Sequence, residues 1–172
     1  LRRGKGSAYE GGLREPAIVH WPGVTTPGTV CDTPIITMDL FSTFQEMAGV
    51  QSDSNAASDG TSLVTLLRTQ TAKIDRDLFW HYPHYHAGGD GPYSVIRSGE
   101  FRLIEFHEDK RVELYNLAKD ISEQHDLAAS QPEKAGQLQT KLHQWQKTVG
   151  AQFPTANPKY SDARETDVGG RN

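Results

Sequence analysis

The sequence predicts an α/β chain: the C-terminal edge of a larger α/β domain, followed by a small α+β subdomain of one four-stranded antiparallel sheet and one packed helix. Three observations predict it. An apolar run, a turn and an amphipathic segment follow one another over residues 17–49. Four short strand-like runs separated by tight breaks occupy residues 78–115, and one apolar stripe at helical spacing runs from Ala135 to Val149. The expected boundaries are 1–72 for the edge of the larger domain, 73–151 for the sheet-and-helix subdomain, and 152–172 for a polar tail.

Residues 1–16, rich in Gly and charge, read as a loop. Ala17, Ile18, Val19, His20 and Trp21 form an apolar run ended by Pro22 and Gly23, the mark of a short buried strand. Pro27 and Gly28 make a turn. A helix begins near Asp39: Leu40, Phe41, Phe44, Met47 and Ala48 share a face, and Gly49 stands where a helix stops. Residues 51–60 are small and polar, a loop or linker, and Leu63 to Leu67 suit a short helix. Strands follow at residues 78–80, 93–96, 101–106 and 112–115. The breaks Gly88-Gly89-Asp90-Gly91, Ser98-Gly99 and Glu108-Asp109-Lys110 are short enough to require antiparallel neighbours. Ser130 and Glu133 have capping-box spacing. Ala135, Leu138, Leu142, Trp145 and Val149 then make one stripe that packs on the sheet, ended by Gly150.

Composition narrows the function. At 172 residues the chain holds one or two small domains. No stretch approaches the roughly 18 apolar residues of a membrane helix. A net charge of -4 with scattered basic residues argues against a nucleic-acid surface, which needs a basic stripe. Cys31 is the only cysteine, so no internal disulfide forms and the redox compartment stays open. The start at Leu1, within a motif-dense stretch, reads as a cut from a longer protein, which would hide any signal peptide.

Two segments carry chemistry. Lys5 lies between Gly4 and Gly6, where bare backbone and absent side chains let an anion come close. On spacing alone an exposed loop lysine is the simpler reading. The segment is not a P-loop, because Gly6 separates Lys5 from Ser7. His81, His84 and His86 fall within six residues, but Pro83 breaks regular structure and neither a cysteine nor a fourth ligand is near, so zinc is disfavoured. An aromatic loop at a strand end is the plain reading there, with Gly88 to Gly91 giving it freedom. Glu105, Glu108, Asp109 and Glu113 surround a hairpin turn and read as a solvated edge. Trp145 reads as core.

The run Gly4-Lys5-Gly6-Ser7-Ala8-Tyr9-Glu10-Gly11-Gly12-Leu13-Arg14-Glu15-Pro16-Ala17 resembles a signature segment of the arylsulfatase-type sulfatases, members of the alkaline-phosphatase-like superfamily. Trp21-Pro22-Gly23, Pro27-Gly28, Met38-Asp39-Leu40 with Thr43, and Ala48-Gly49 follow in the family's order. Glu113-Leu114-Tyr115-Asn116-Leu117, Asp120, Glu123 and Asp126-Leu127-Ala128 resemble its C-terminal strand and turn. The resemblance covers roughly residues 1–150. It implies hydrolysis of sulfate monoesters to alcohol and inorganic sulfate, with Lys5 contacting the sulfate and Glu10, Gly11, Gly12 and Arg14 supporting its loop. Bacterial sulfatases of sulfated carbohydrates often carry a stretch similar to His81-Tyr82-Pro83-His84-Tyr85-His86 near the active-site mouth, so His81, His84 and His86 become candidate sugar-binding residues.

Departures from the pattern matter as much. The family's nucleophile is a formylglycine made from Cys or Ser in a Cys/Ser-x-Pro-x-Arg motif. Cys31-Asp32-Thr33-Pro34 does not fit, and Cys31 is read as structural. Calcium is the implied cofactor of the parent enzyme, yet no Asp-Asn dipeptide typical of its site occurs, so no metal ligand is expected in this chain. The chain alone is therefore expected to be inactive, from a parent that is exported. An orphaned edge strand and an exposed Leu40/Phe44/Met47 face predict self-association. Two competing readings are a stand-alone carbohydrate-binding or interaction module, which has no need of the Lys5 loop, and a phosphoesterase of the same superfamily.

Overall fold

The structure, a computed structural model, describes residues 1–50, 58–69, 72–86, 89–155 and 157–158. Most of the expected polar tail, and Gly88 of the glycine-rich break, lie outside the described residues.

Strands β1 (Asp77–Tyr82), β2 (Tyr93–Ser98), β3 (Phe101–Phe106) and β4 (Val112–Asn116) form one antiparallel sheet in the order β1-β2-β3-β4. The β2-β3-β4 order follows from the tight turns at residues 99–100 and 107–111, since a short connection can only return the chain beside the strand it has left. Gly99 and Lys110 take left-handed backbone angles at two of those turns, with φ of 57° and 60°. Register pairs Leu78 with Arg97, Arg97 with Arg102, and Arg102 with Tyr115 across the sheet.

Alternation along the strands makes two faces. Ile96, Leu103 and Leu114 on one face pack under the helix Pro132–Thr148, which contributes Ala135, Leu138 and Leu142. Leu138 and Leu142 are almost wholly buried, a burial that stabilises by about 1.5–3 kcal/mol per side chain. Trp145 lies flat on Phe79, ring centroids 4.8 Å apart. On the other face Tyr93, Val95, Ile104, Phe106 and Tyr115 pack against Ala8, Tyr9 and Leu13. The N-terminal segment thus shares a core with the small sheet.

The long helix departs from expectation at both ends. Its N-cap is Gln131 without a side-chain cap, Pro132 opens the helix, and Ser130 Oγ donates to Leu127 O instead (3.2 Å), so the capping box does not form. Proline is suited to this place, because the first helical N–H has no intrahelical partner to lose. At the far end Val149 is exposed and Gln146 is buried in its stead, its amide donating to Ser94 Oγ at 3.0 Å.

Three short helices complete the fold: α1 (Glu10–Leu13), α2 (Asp39–Met47) and α3 (Val64–Thr69), with the long helix as α4. In α2 the buried positions are Asp39 and Thr43, not the apolar stripe. Asp39 accepts hydrogen bonds from the backbone N–H of Ile36 (2.8 Å) and Thr61 (2.9 Å) and pairs with Arg76, and Thr43 Oγ1 accepts from Leu63 N–H at 2.9 Å. This polar stitching turns Leu40, Phe41, Phe44 and Met47 outward. Residues 17–21 are not a strand: Ile18 is 96% exposed, and no described strand pairs with them. A strand needs a neighbour for its backbone groups, and here there is none. Cys31 is exposed, so it is no part of either core.

Candidate functional site

The loop that carries Lys5 is shaped from below. Ser7 N–H donates to Gly4 O at 3.1 Å, closing a turn around Lys5 and Gly6. Tyr9 and Glu10 then plunge into the interior as α1 begins. A Cβ on Gly11 would overlap the carbonyl oxygens of Arg2 and Arg3, and one on Gly12 would overlap Ser7 O, so both positions require glycine for close backbone approach. Gly11 N–H donates to Arg2 O at 3.0 Å across that contact.

Beneath the loop lies a buried polar hub. Arg102, 1% exposed, projects from the start of β3 and binds Glu10 and the carbonyl of Ala8. Its Nε lies 3.4 Å from Glu123 Oε1. Glu123, fully buried, accepts the backbone N–H of Glu10 at 2.7 Å. Arg14 closes on Glu10 from outside at 3.3 Å. Burial pushes the Glu123 carboxyl above its usual range, although Arg102 opposes the shift. Arg2 lies over the Tyr9 ring at 3.9 Å and donates to Tyr115 Oη (2.8 Å) and Glu123 O (2.9 Å). Glu113 accepts from Tyr9 Oη (2.9 Å) and Tyr115 Oη (2.7 Å) and pairs with Arg111. Burial raises the Tyr115 hydroxyl to about 12.

Glu113 and Glu105 are therefore not a solvated edge. Both are buried, because Tyr9, Tyr115 and Arg111 partner the first and His143 the second, at 2.7 Å. Glu108 and Asp109 are exposed.

The histidine loop meets the Lys5 loop. His86 stands over Gly6, where a Cβ would lie 2.9 Å from its Nδ1, and Gly89 packs directly on Gly6 O. Asp90 Oδ2 accepts the N–H of Ala8 at 2.9 Å, and Tyr93 Oη donates to Ser7 O at 3.4 Å. Lys5 is exposed, with no ion pair among the described residues, and His84 and His86 are exposed as well. His84 sits edge-on to Tyr82, centroids 5.3 Å apart.

His81 is placed differently. Both its ring nitrogens are engaged inside the fold, Nδ1 with Ser94 Oγ and Nε2 with Gln152 O, each at 2.7 Å. Ser94 Oγ also meets His107 Nε2 at 2.8 Å, and both rings contact Phe153. Burial depresses the basicity of His107, opposed by Glu105.

Arg102, Glu123, Arg2 and Asp90 were not singled out by sequence as site-building residues. Arg102 had a signal: a charge beside the apolar pair Leu103-Ile104 in a strand is buried only with partners. The partners come from positions 92 residues upstream and 21 downstream, and no local pattern points to them.

With the geometry described, the relatives decide the lineage. The model of the N-sulphoglucosamine sulphohydrolase C-terminal family matches residues 4–151. The chain belongs to this family of sulfatases. A sulfatase of Formosa agariphila is 36% identical over 160 residues, covering 84% of the chain and 29% of that protein. Human arylsulfatase A is 33% identical over 148 residues, covering 74% of the chain and 28% of that protein. Among solved structures, one in complex with its substrate D-glucosamine-2-N,6-O-disulfate superposes with a TM-score of 0.64 at 26% identity, covering 76% of the chain and 27% of the other. The chain thus spans under a third of the length of these relatives. Sulfatases are typically metal-dependent, and among the described residues no group of three His, Cys, Asp or Glu is placed to hold an ion.

Proposed function

We propose that this chain is the C-terminal part of a sulfatase that hydrolyses sulfate monoesters of carbohydrates, and that it supplies Lys5 to the sulfate pocket and His84 and His86 to the pocket mouth. The observation that carries the reading is the junction of the two loops: His86 seated on Gly6, next to an exposed Lys5 that has no ion pair among the described residues, above a base of buried ion pairs. Cleaving a sulfate ester moves negative charge onto the leaving and equatorial oxygens. An ammonium held in place stabilises that charge more in the transition state than in the ground state. The hub keeps the Lys5 turn in one geometry, so little reorganisation is needed when charge develops. Imidazoles at the rim donate to or accept from sugar hydroxyls, and the disulfated glucosamine bound by a 26%-identical structure supports a carbohydrate substrate. Calcium and a formylglycine nucleophile would come from polypeptide outside these 172 residues, in a parent that is exported. His81 is the weakest of the three histidines for this role, because both its nitrogens are already bonded.

The test is sulfate release from an aryl sulfate and from a sulfated glucosamine, with calcium present. The 172-residue chain is compared with the chain extended by the missing part of a sulfatase. The expected result is turnover by the extended protein alone. Lys5→Ala there lowers kcat by about 10²–10³, as for loss of one oxyanion-stabilising donor. His86→Ala raises KM for the sugar and spares the aryl ester. Turnover by the 172-residue chain itself would overturn the reading.

A further inference from the structure

Arg97 presents an electrostatic problem that the fold leaves open. It faces Arg102 directly across β2 and β3, and like charges in that relation repel. Arg102 is neutralised by Glu10 and Glu123. Arg97 has no hydrogen bond or ion pair among the described residues, and burial, with Arg14 and Arg102 nearby, depresses its basicity against the pull of Glu10. Its Nε–H is fully buried without an acceptor. Arg76 shows the same defect: its terminal nitrogens hold Asp39, while its Nε–H is buried and unpartnered. The other two buried atoms of this kind, Arg102 Nε and Glu123 Oε1, at least face one another at 3.4 Å.

Both arginines line one cavity of about 180 Å³, walled by Pro34, Ile74 and Leu78. Apolar walls weaken screening and so strengthen the attraction for an anion. Two guanidinium groups thus meet at one cavity, and of the two only Arg76 has an ion pair among the described residues. We propose that Arg76 and Arg97 form a binding site for a compact oxyanion, the chemistry shared by free sulfate and by the carboxylate of an acidic side chain from another polypeptide segment. The planar guanidinium of Arg97, whose nitrogens have no partner among the described residues, suits the paired oxygens of either group. Asp75 also lines the cavity, but it is exposed, and no ion pair joins it to either arginine. The site lies four residues along β2 from Tyr93, the strand position beside Ser7, about 13 Å by strand rise. It does not use Lys5 and does not depend on the reaction proposed above.

The test follows the arginine Nε–H signals of the ¹⁵N-labelled 172-residue chain by NMR. Sodium sulfate and sodium acetate are titrated against sodium chloride at matched ionic strength. Saturable shifts of the Arg76 and Arg97 signals are expected, with affinity at least about tenfold weaker in Arg97→Met, a loss of about 1.4 kcal/mol. Tighter sulfate binding identifies a free tetrahedral anion as the ligand; tighter acetate binding identifies a side-chain carboxylate. A second measurement guards against a misfolded variant. Arg97→Met keeps the apolar stem and removes the charge, so its thermal midpoint in chloride should exceed that of the parent, and sulfate should close the gap. Shifts no greater than in chloride, binding unchanged in Arg97→Met, or binding that appears only in Asp75→Asn would each overturn the proposal. So would a lower midpoint for Arg97→Met in chloride.

Discussion

Arg102 binds two carboxylates from different parts of the chain and is 1% exposed, so its charge depends on both. Removing one partner of a buried pair leaves a desolvated charge behind, which costs about 3–5 kcal/mol. Arg102→Met should therefore lower the unfolding free energy by about that amount in a urea titration, because Glu10 and Glu123 are left facing each other. Lys5→Ala, by contrast, should leave it within about 0.5 kcal/mol, as for an exposed side chain without partners. This contrast separates the residue proposed for chemistry from those that hold it up. His107 adds a pH dependence. Burial lowers its folded pKa below the ordinary 6.5, so the unfolded chain binds the extra proton first. Stability should hold above about pH 6.5 and fall as pH drops from there through the folded value. Unfolding free energies measured between pH 7.5 and pH 5 should show the decline, on the order of that pH span, with a shallower slope in His107→Gln.

Among the elements, α4 was the most legible in sequence and its cap the least. Ala135, Leu138 and Leu142 repeat at helical spacing, and the stripe they form is the one buried on the sheet. Spacing of this kind is local and survives any tertiary context. The cap is a competition between neighbours: Pro132 suits the first helical position and shifts the start past Ser130. Ser130→Ala should accordingly change stability by less than about 0.5 kcal/mol, where a true Ser cap would cost about 1. Leu142→Ala should cost about 2–5 kcal/mol, both read by chemical denaturation. The strands were legible for the same reason as the stripe, down to their antiparallel order, since short turns leave no other option. Residues 17–21 show the limit. An apolar run predicts a strand only if another strand is there to pair with it, and that condition lies outside the run.

The whole molecule has an uneven surface. One sheet face is covered by α4 and the other by residues 8–13, while Leu40, Phe41, Phe44 and Met47 of α2 stand outward with Ile18 and Val30. Exposed apolar area on this scale favours association. Sedimentation or light scattering of the 172-residue chain should show a concentration-dependent rise in mass, suppressed in the double variant Phe41→Glu, Phe44→Glu. A monomer at all concentrations would contradict this.

The sequence by itself determined the four antiparallel strands, the helix that packs on them and the sulfatase lineage, because periodicity, turn chemistry and a contiguous motif are all written in neighbouring residues. Only the tertiary structure decided which charges are buried. Glu113, Glu105 and Asp39 look like ordinary surface residues in the chain, and each is held inside by partners far away in sequence. It also separated the three histidines, sending His81 into a buried cluster and leaving His86 on Gly6. The physical reason is the same in each case. A polar group's cost of burial is set by what meets it in space, and long-range pairing has no signature in local spacing.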